Sequence, residues 1–209
     1  MAGPFLYLSS AQYFLAQLIT AQRYEPRYSW LHNTISDLGS TSCSLRSVGH
    51  CSPLHALMNS SFVVLGVTMI IGSVLICRFL ESNPWTVVGF VALTISGVGT
   101  AFVGFMPENR APVLHAIAAA LPFLVGNLGV AILAGSLRMS PAFRLYTWLS
   151  GLGPLVALGF FVGQDFLGLG RGGMERVVAY PQTIWLMVFG SYLLLFVRAE
   201  ALDGVLESR

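Results

Sequence analysis

Tyr28-Ser29-Trp30-Leu31-His32-Asn33-Thr34-Ile35-Ser36-Asp37-Leu38-Gly39 is the only long polar segment lying between two apolar runs of the chain. It holds an aromatic pair, Tyr28 and Trp30, together with Asn33, Asp37 and the hydroxyls of Ser29, Thr34 and Ser36. His55 and Asn59 follow at the start of the next apolar run. If the apolar runs are helices, this segment closes one end of a helical bundle.

Composition decides what kind of bundle. Of 209 residues, 55% are hydrophobic and only 10% are charged. Soluble domains carry about 25% charged residues, and one soluble core cannot hide so much apolar surface, whereas lipid can. All eleven basic residues are Arg. A net charge of +2 without a basic run leaves no nucleic-acid footprint. A spanning helix needs about twenty mostly apolar residues. Six runs meet this, at residues 4–22, 54–80, 85–106, 112–137, 143–165 and 174–197. The expected fold is therefore all-α: residues 1–209 form a single transmembrane domain, a bundle of six transmembrane helices with one long polar loop between the first two.

Details along the runs sharpen this picture. The first has no basic leader and no small-residue cleavage site, so it reads as a retained helix. Its Ser9, Ser10, Gln12 and Gln17 should face partner helices, where their hydrogen bonds can be met. Pro53, Pro84, Pro112 and Pro141 stand at or before helix starts, where a missing N–H costs least. Pro122, Pro154 and Pro181 lie inside runs and predict kinks. Gly97, Gly99 and Gly104 recur in the third run, and the GxxxG pair Gly159 and Gly163 in the fifth predicts close backbone approach.

Six spans put both termini on one side. Arg78, Arg138, Arg144, Arg198 and Arg209 fall on that terminal side, and Arg23, Arg27, Arg46, Arg110, Arg171 and Arg176 on the opposite, loop side. Five against six does not decide orientation by the positive-inside rule. Cysteines break the tie. Cys43 and Cys51 flank a short loop-side segment and would suit a disulfide in an oxidising compartment, while Cys77 lies near the terminal side. Three unpaired small residues are the plainer alternative. The expected placement is a multi-pass protein of the cell membrane with cytoplasmic termini and an acidic, solvated tail of Glu200, Asp203 and Glu207.

The costly polar residues are lopsided. His32, Asn33, Asp37, His50, His55, Asn59, Glu108, Asn109, Arg110, His115, Asp165, Arg171, Glu175 and Arg176 all belong to the loop side or its helix ends. His55 and Asn59, four apart, share a helix face. Three helix starts there present free N–H groups and positive dipole ends, which favour anions. The candidate catalytic residues are His55, His115 and Asp37. The candidate substrate-binding residues are Tyr28, Ser29, Asn33, Asn59, Glu108, Asp165, Glu175 and Arg176. Asp37 can neutralise Arg176 or orient His55, Asn33 can cap a helix start, and Asp165 can pair with a loop-side cation. Plainer readings exist for each: interfacial histidines bonded to loops, a snorkelling Glu175–Arg176 pair at the headgroups, a turn at Asp37. Two His and a carboxylate can hold zinc, and His55 and His115 with Asp37, Glu108 or Asp165 would be the set. There is no HExxH or HxxxH, however, so no metal ligand or cofactor is assigned. Ser-His-Asp chemistry with Ser29, Ser36 or Ser60 as nucleophile is equally open.

Tyr28-Ser29, then Asn33-Thr34-Ile35-Ser36-Asp37-Leu38-Gly39, resembles the signature of the family catalogued as domain of unknown function 998, six-helix membrane proteins of bacteria and archaea. The likeness continues through His55 and Asn59, Gly104-Phe105-Met106-Pro107-Glu108 before His115, and Gly173-Met174-Glu175-Arg176, and covers nearly the whole chain. It implies a six-helix fold and a membrane location, and no activity, cofactor or catalytic residue. The Cys43–Cys51 loop lies outside that pattern.

Three functional classes remain. First is an accessory or structural membrane protein. Next is an intramembrane, hydrolase-like enzyme acting on a lipid or other membrane-embedded substrate. Third is a binder or carrier of an anionic headgroup or small solute. The lipid bilayer is the expected partner in all three. The loop around Asn33–Asp37 should fold back over the loop-side helix ends, because uncompensated polar groups near hydrocarbon cost several kcal/mol each.

Overall fold

The computed structural model describes residues 2–41, 43, 51–80 and 83–207, with side chains as far as residue 195. Arg46, His50, Arg209 and the side chains of Arg198, Glu200, Asp203 and Glu207 lie outside the described residues. Eight helices follow in order: α1 (Gly3–Leu8), α2 (Ala11–Ala21), α3 (His55–Phe79), α4 (Pro84–Phe105), α5 (Pro112–Ala120), α6 (Asn127–Ser136), α7 (Pro141–Val162) and α8 (Gly170–Glu207). A wider, π-type turn over Leu121–Gly126 joins α5 to α6, and a 3-10 turn, Ser36–Gly39, lies between α2 and α3.

Among the described residues, five stretches are long and apolar enough to cross a membrane: His55–Phe79, Pro84–Phe105, Pro112–Ser136, Pro141–Val162 and Gly170–Leu195. The first apolar run differs from the expectation of one continuous helix. Its ladder tightens at Ser9 and Ser10, where Ser10, Gln12 and Tyr13 donate to carbonyls three residues back and the Ser9 hydroxyl bonds the Leu6 carbonyl at 2.7 Å. Serines compete with the backbone for these bonds, and the run divides into α1 and α2. Both pack against α3, and α1 also meets α8. The Tyr7 hydroxyl lies 2.7 Å from Ser73 Oγ, and Gln12 donates to the Ser61 carbonyl at 3.0 Å.

Prolines and caps mark the remaining helix starts. Pro84, Pro112 and Pro141 occupy first turns. Asn83 accepts from Thr86 N–H at 3.1 Å and Ser140 from Phe143 N–H at 3.3 Å, the usual N-cap geometry. Pro122 cannot donate to the preceding turn, and the helix widens there instead of breaking. The Asn127 amide donates to the carbonyls of Phe123 at 2.8 Å and Val178 at 3.2 Å, serving the widened turn and tying it to α8. Polar groups also bridge buried helices: Gln182 to Ser96 at 2.8 Å and Trp185 to Thr147 at 3.0 Å. The indole of Trp185 stacks on Phe189, and Tyr192 stacks on Phe143.

Close backbone approach occurs between α3 and α4, the most extensively packed pair. A Cβ on Gly66 would run into the Gly97 carbonyl and Ala101, and one on Gly97 would lie 2.7 Å from the Gly66 carbonyl. The GxxxG pair of the fifth run does not act this way. A Cβ on Gly159 would meet nothing, and one on Gly163 only its own helix. That helix, α7, is the least buried of the five spans. Helix α7 packs on α6, α8 and the π turn, while α5 makes at most marginal contact with it. The α5–α6 span and α7 therefore close on the α6 side and part towards α5.

Gly66→Ala should overpack the α3–α4 seam and lower stability by about 1–3 kcal/mol, read as a drop in the melting temperature of the detergent-solubilised protein. Gly159→Ala should leave that temperature unchanged or raise it slightly.

Candidate functional site

The segment from Tyr28 to Ser40 wraps over the loop-side ends of α3, α5 and α8. It is less polar in use than in composition, because Tyr28, Ile35 and Leu38 are buried in the main apolar core. Its shape is set by its own side chains. Asn33 Oδ1 accepts from Ser29 N–H at 3.0 Å, and its amide donates to Asp37 Oδ2 at 3.1 Å. The same carboxylate oxygen accepts from Thr34 N–H at 2.9 Å, and Thr34 Oγ1 returns a bond from Asp37 N–H at 3.1 Å. Asp37 is thus spent on the turn, with no bond to Arg176 or His55, and Asn33 staples its own loop instead of capping a helix. Local geometry explains both outcomes: a carboxylate three residues past Thr34 reaches the turn's N–H groups before any distant cation.

Arg176 grips the loop from α8. It is 8% exposed. Its Nη1 donates to the carbonyls of Trp30 and Asn33 at 3.0 Å each and of Gly172 at 2.7 Å. Nη2 donates to the Tyr28 hydroxyl and Nε to that of Tyr180 at 3.1 Å. The guanidinium also lies over the Trp30 ring, 4.9 Å from its centroid, a cation–π placement. No carboxylate pairs with it among the described residues. Burial pushes the Tyr28 hydroxyl well above the ordinary tyrosine range, so it stays neutral and donates a hydrogen bond to the Thr34 carbonyl at 2.7 Å. The surface snorkelling pair suggested by Glu175-Arg176 is not found, since both side chains are buried. Glycines make the contact possible. Gly170 has φ +71°, and side chains on Gly170 or Gly172 would strike the Leu31 and Asn33 carbonyls. Gly173 N–H donates to the Leu31 carbonyl at 3.0 Å.

Other helix starts hold the rest of the loop. Asn59 of α3 donates to the Gly39 carbonyl at 3.0 Å, and Ser52 to that of Leu38 at 2.6 Å. Asn109 and Arg110 bond Thr41. Glu25 and Cys51 exchange backbone bonds at 2.9 and 2.7 Å, and a disulfide joins Cys43 to Cys51.

Two groups face open space. Glu175, 5% exposed, accepts from Ile35 N–H at 2.6 Å through Oε2. His115, 6% exposed, lies between Ser36 Oγ, 2.8 Å from Nε2, and the Met106 carbonyl, 2.7 Å from Nδ1. A cavity of about 250 Å³ opens beside them. Ser36, His115, Glu175, Glu108 and Arg171 are among its polar lining, and Ala116, Ala120, Phe123, Leu158, Phe161 and Val162 among its apolar lining. Arg171 and Glu108 pair across its rim at 3.4 Å. A smaller cavity of about 50 Å³, walled mainly by apolar side chains such as Phe62, Leu65 and Val103, continues inward and shares Ser36, Phe123 and Glu175 with the larger one.

Not every expected residue joins this group. His55 bonds the Ser52 carbonyl 2.9 Å away at the first turn of its own helix and does not meet His115. Asp165 accepts from Leu167 N–H at 3.2 Å, closing a local turn instead of pairing with a cation. Ser29 stays inside the loop, accepting from His32 N–H at 3.3 Å. Among the described residues, no three His, Cys, Asp or Glu side chains gather closely enough to hold a metal. Ser36 is the group sequence reading could not single out, because serines are abundant and its partner lies 79 residues away. The Met106 carbonyl and the aromatic wall carried no sequence signal.

A family model described as a protein of unknown function (DUF998) matches residues 7–192, and the chain belongs to that family. No curated protein and no solved structure matches it.

Removing the guanidinium in Arg176→Ala strands buried carbonyls and should cost on the order of 3 kcal/mol. The melting temperature should fall, and proteases should cut within residues 28–40 faster than in the parent. An unchanged cleavage rate would show that Arg176 does not hold the loop.

Proposed function

We propose that this member of the DUF998 family crosses the membrane six times, with α1 and α2 together making the first crossing, and holds the polar end of an amphiphile in the chamber beneath the loop. One observation carries the binding reading. The larger cavity is lined by both polar and apolar side chains, and it is bordered by α5 and α7, which part from each other. A lipid-like molecule could enter sideways through that gap, its headgroup towards Ser36, His115 and Glu175 and its chain along Phe161 and Val162. Most ligand sites combine apolar lining with a few placed polar groups in this way.

The accessory, structural reading keeps half of the cluster. Arg176 is saturated by the loop, so Tyr28, Asn33 and Asp37 serve to build the lid, and the ligand-facing residues are Ser36, Glu108, His115, Arg171 and Glu175. For the six crossings, residues 3–21 rise about 28 Å as helix, close to the hydrocarbon thickness. Six crossings put both termini together. The Cys43–Cys51 bond suits an oxidising loop side, which supports cytoplasmic termini.

Ala116→Trp should fill the chamber and weaken binding of a fluorescent lysophospholipid by about tenfold or more, a loss of about 1.4 kcal/mol or more, with the melting temperature retained. Undiminished binding to the folded variant would overturn the chamber reading. A reporter active only in the cytoplasm, fused to the C-terminus, should be active; a silent reporter on an inserted fusion would overturn the orientation.

A further inference from the structure

Ser36 stands at the junction of the two cavities and touches His115, which lines the outer one. A carbonyl can only accept, so the 2.7 Å contact between His115 Nδ1 and the Met106 carbonyl places the ring proton on Nδ1. In the neutral ring Nε2 is then an acceptor, and the Ser36 hydroxyl 2.8 Å away donates to it. This is the geometry of a serine with its general base: the two groups within hydrogen-bond reach, and the base held by a third. Here a backbone carbonyl takes the place of the acid of a triad. A hydroxyl that merely latched the loop would need no open space. Ser36 instead lines the outer cavity together with His115 and the inner one together with Phe62, Leu65 and Val103.

We propose that Ser36 is a nucleophile and His115 its general base, in a site that hydrolyses a carboxylic ester of a membrane amphiphile. The proposal rests on the chamber reading given above. Ser36 Oγ attacks the ester carbonyl carbon while its proton passes to His115 Nε2. The C–O bond to the alcohol breaks, and the leaving oxygen takes that proton. Water, admitted at the exposed rim beside Arg171 and Glu108, gives a proton to Nε2 and attacks the acyl-serine. The carboxylic acid departs and Ser36 regains its proton, so ester and water become acid and alcohol. Arg171, which lines the outer cavity, meets the negative charge that develops on the carbonyl oxygen. The inner cavity takes only a small group, so the acyl side of the ester is short and the bulk of the molecule lies on the alcohol side.

The test uses the full chain in phospholipid nanodiscs, treated with an alkyl fluorophosphonate, with the adduct located by peptide mass spectrometry. Wild type should be modified at Ser36, Ser36→Ala should not be modified there, and His115→Gln should slow the reaction by about a hundredfold or more. Gln can still accept from Ser36 and donate to the Met106 carbonyl, so His115→Gln should keep its melting temperature. No adduct at Ser36 in folded wild type, or an undiminished rate in folded His115→Gln, would overturn the proposal. Should His115→Gln fail to fold, the position of the wild-type adduct decides alone. Binding of the fluorescent lysophospholipid is measured on the same samples. Binding without labelling rejects the nucleophile and keeps the chamber, and labelling without binding does the reverse.

Discussion

A buried guanidinium that, among the described residues, has no carboxylate partner is the constraint from which the loop end of this protein follows. An isolated charge in such a place is prohibitive, and Arg176 is tolerated because the chain surrounds it with oxygen. The carbonyls of Trp30, Asn33 and Gly172 and the hydroxyls of Tyr28 and Tyr180 all point at it. To do so, the loop must turn inward over α8. Asn33 and Asp37 give that turn its shape, and the glycines at the start of α8 give it room. Hydrogen bonds to charged groups are about twice as strong as neutral ones, so this one side chain fixes the loop's position together with the buried Tyr28, Ile35 and Leu38.

Once the loop is seated, the remaining polar groups fall into place with little freedom. Ile35 N–H reaches Glu175, and Ser36, next in the chain, is carried to His115. The chamber beneath exists because the helices around it do not close. Helix α7 keeps company with α6 and α8, and α5 stands away from it. The site is thus a by-product of two separate arrangements, a lid drawn down by Arg176 and a wall left open between two spans.

How much of this could be read from residues alone varies by element. Apolar runs bounded by proline and small caps located five spans to within a few residues, because length and hydropathy are local properties. The first run was also visible, but its division at Ser9 and Ser10 was not, since it depends on hydroxyls choosing carbonyls within their own turn. The lopsided charge identified the end of the molecule that holds the cluster. It could not distribute roles within it: Asp37 and Arg176 look like natural partners by charge, yet each is satisfied by nearer backbone groups. Gly159 and Gly163 show the same limit. Their spacing suits close packing, and the packing happens at Gly66 and Gly97, where a partner helix is present.

The widened turn at Leu121–Gly126 acts as a gear between two halves of one span. A single extra residue in a helical turn rotates everything beyond it by roughly 100°. Upstream of the turn, His115 faces Ser36; downstream, Asn127 faces α8 and Gly129 faces α4. A uniform α-helix through the same residues would have one angular phase and could satisfy only one of these sets. Pro122 therefore sets the phase of the histidine: it decouples the face shown to the chamber from the face packed in the core, and each can change without turning the other.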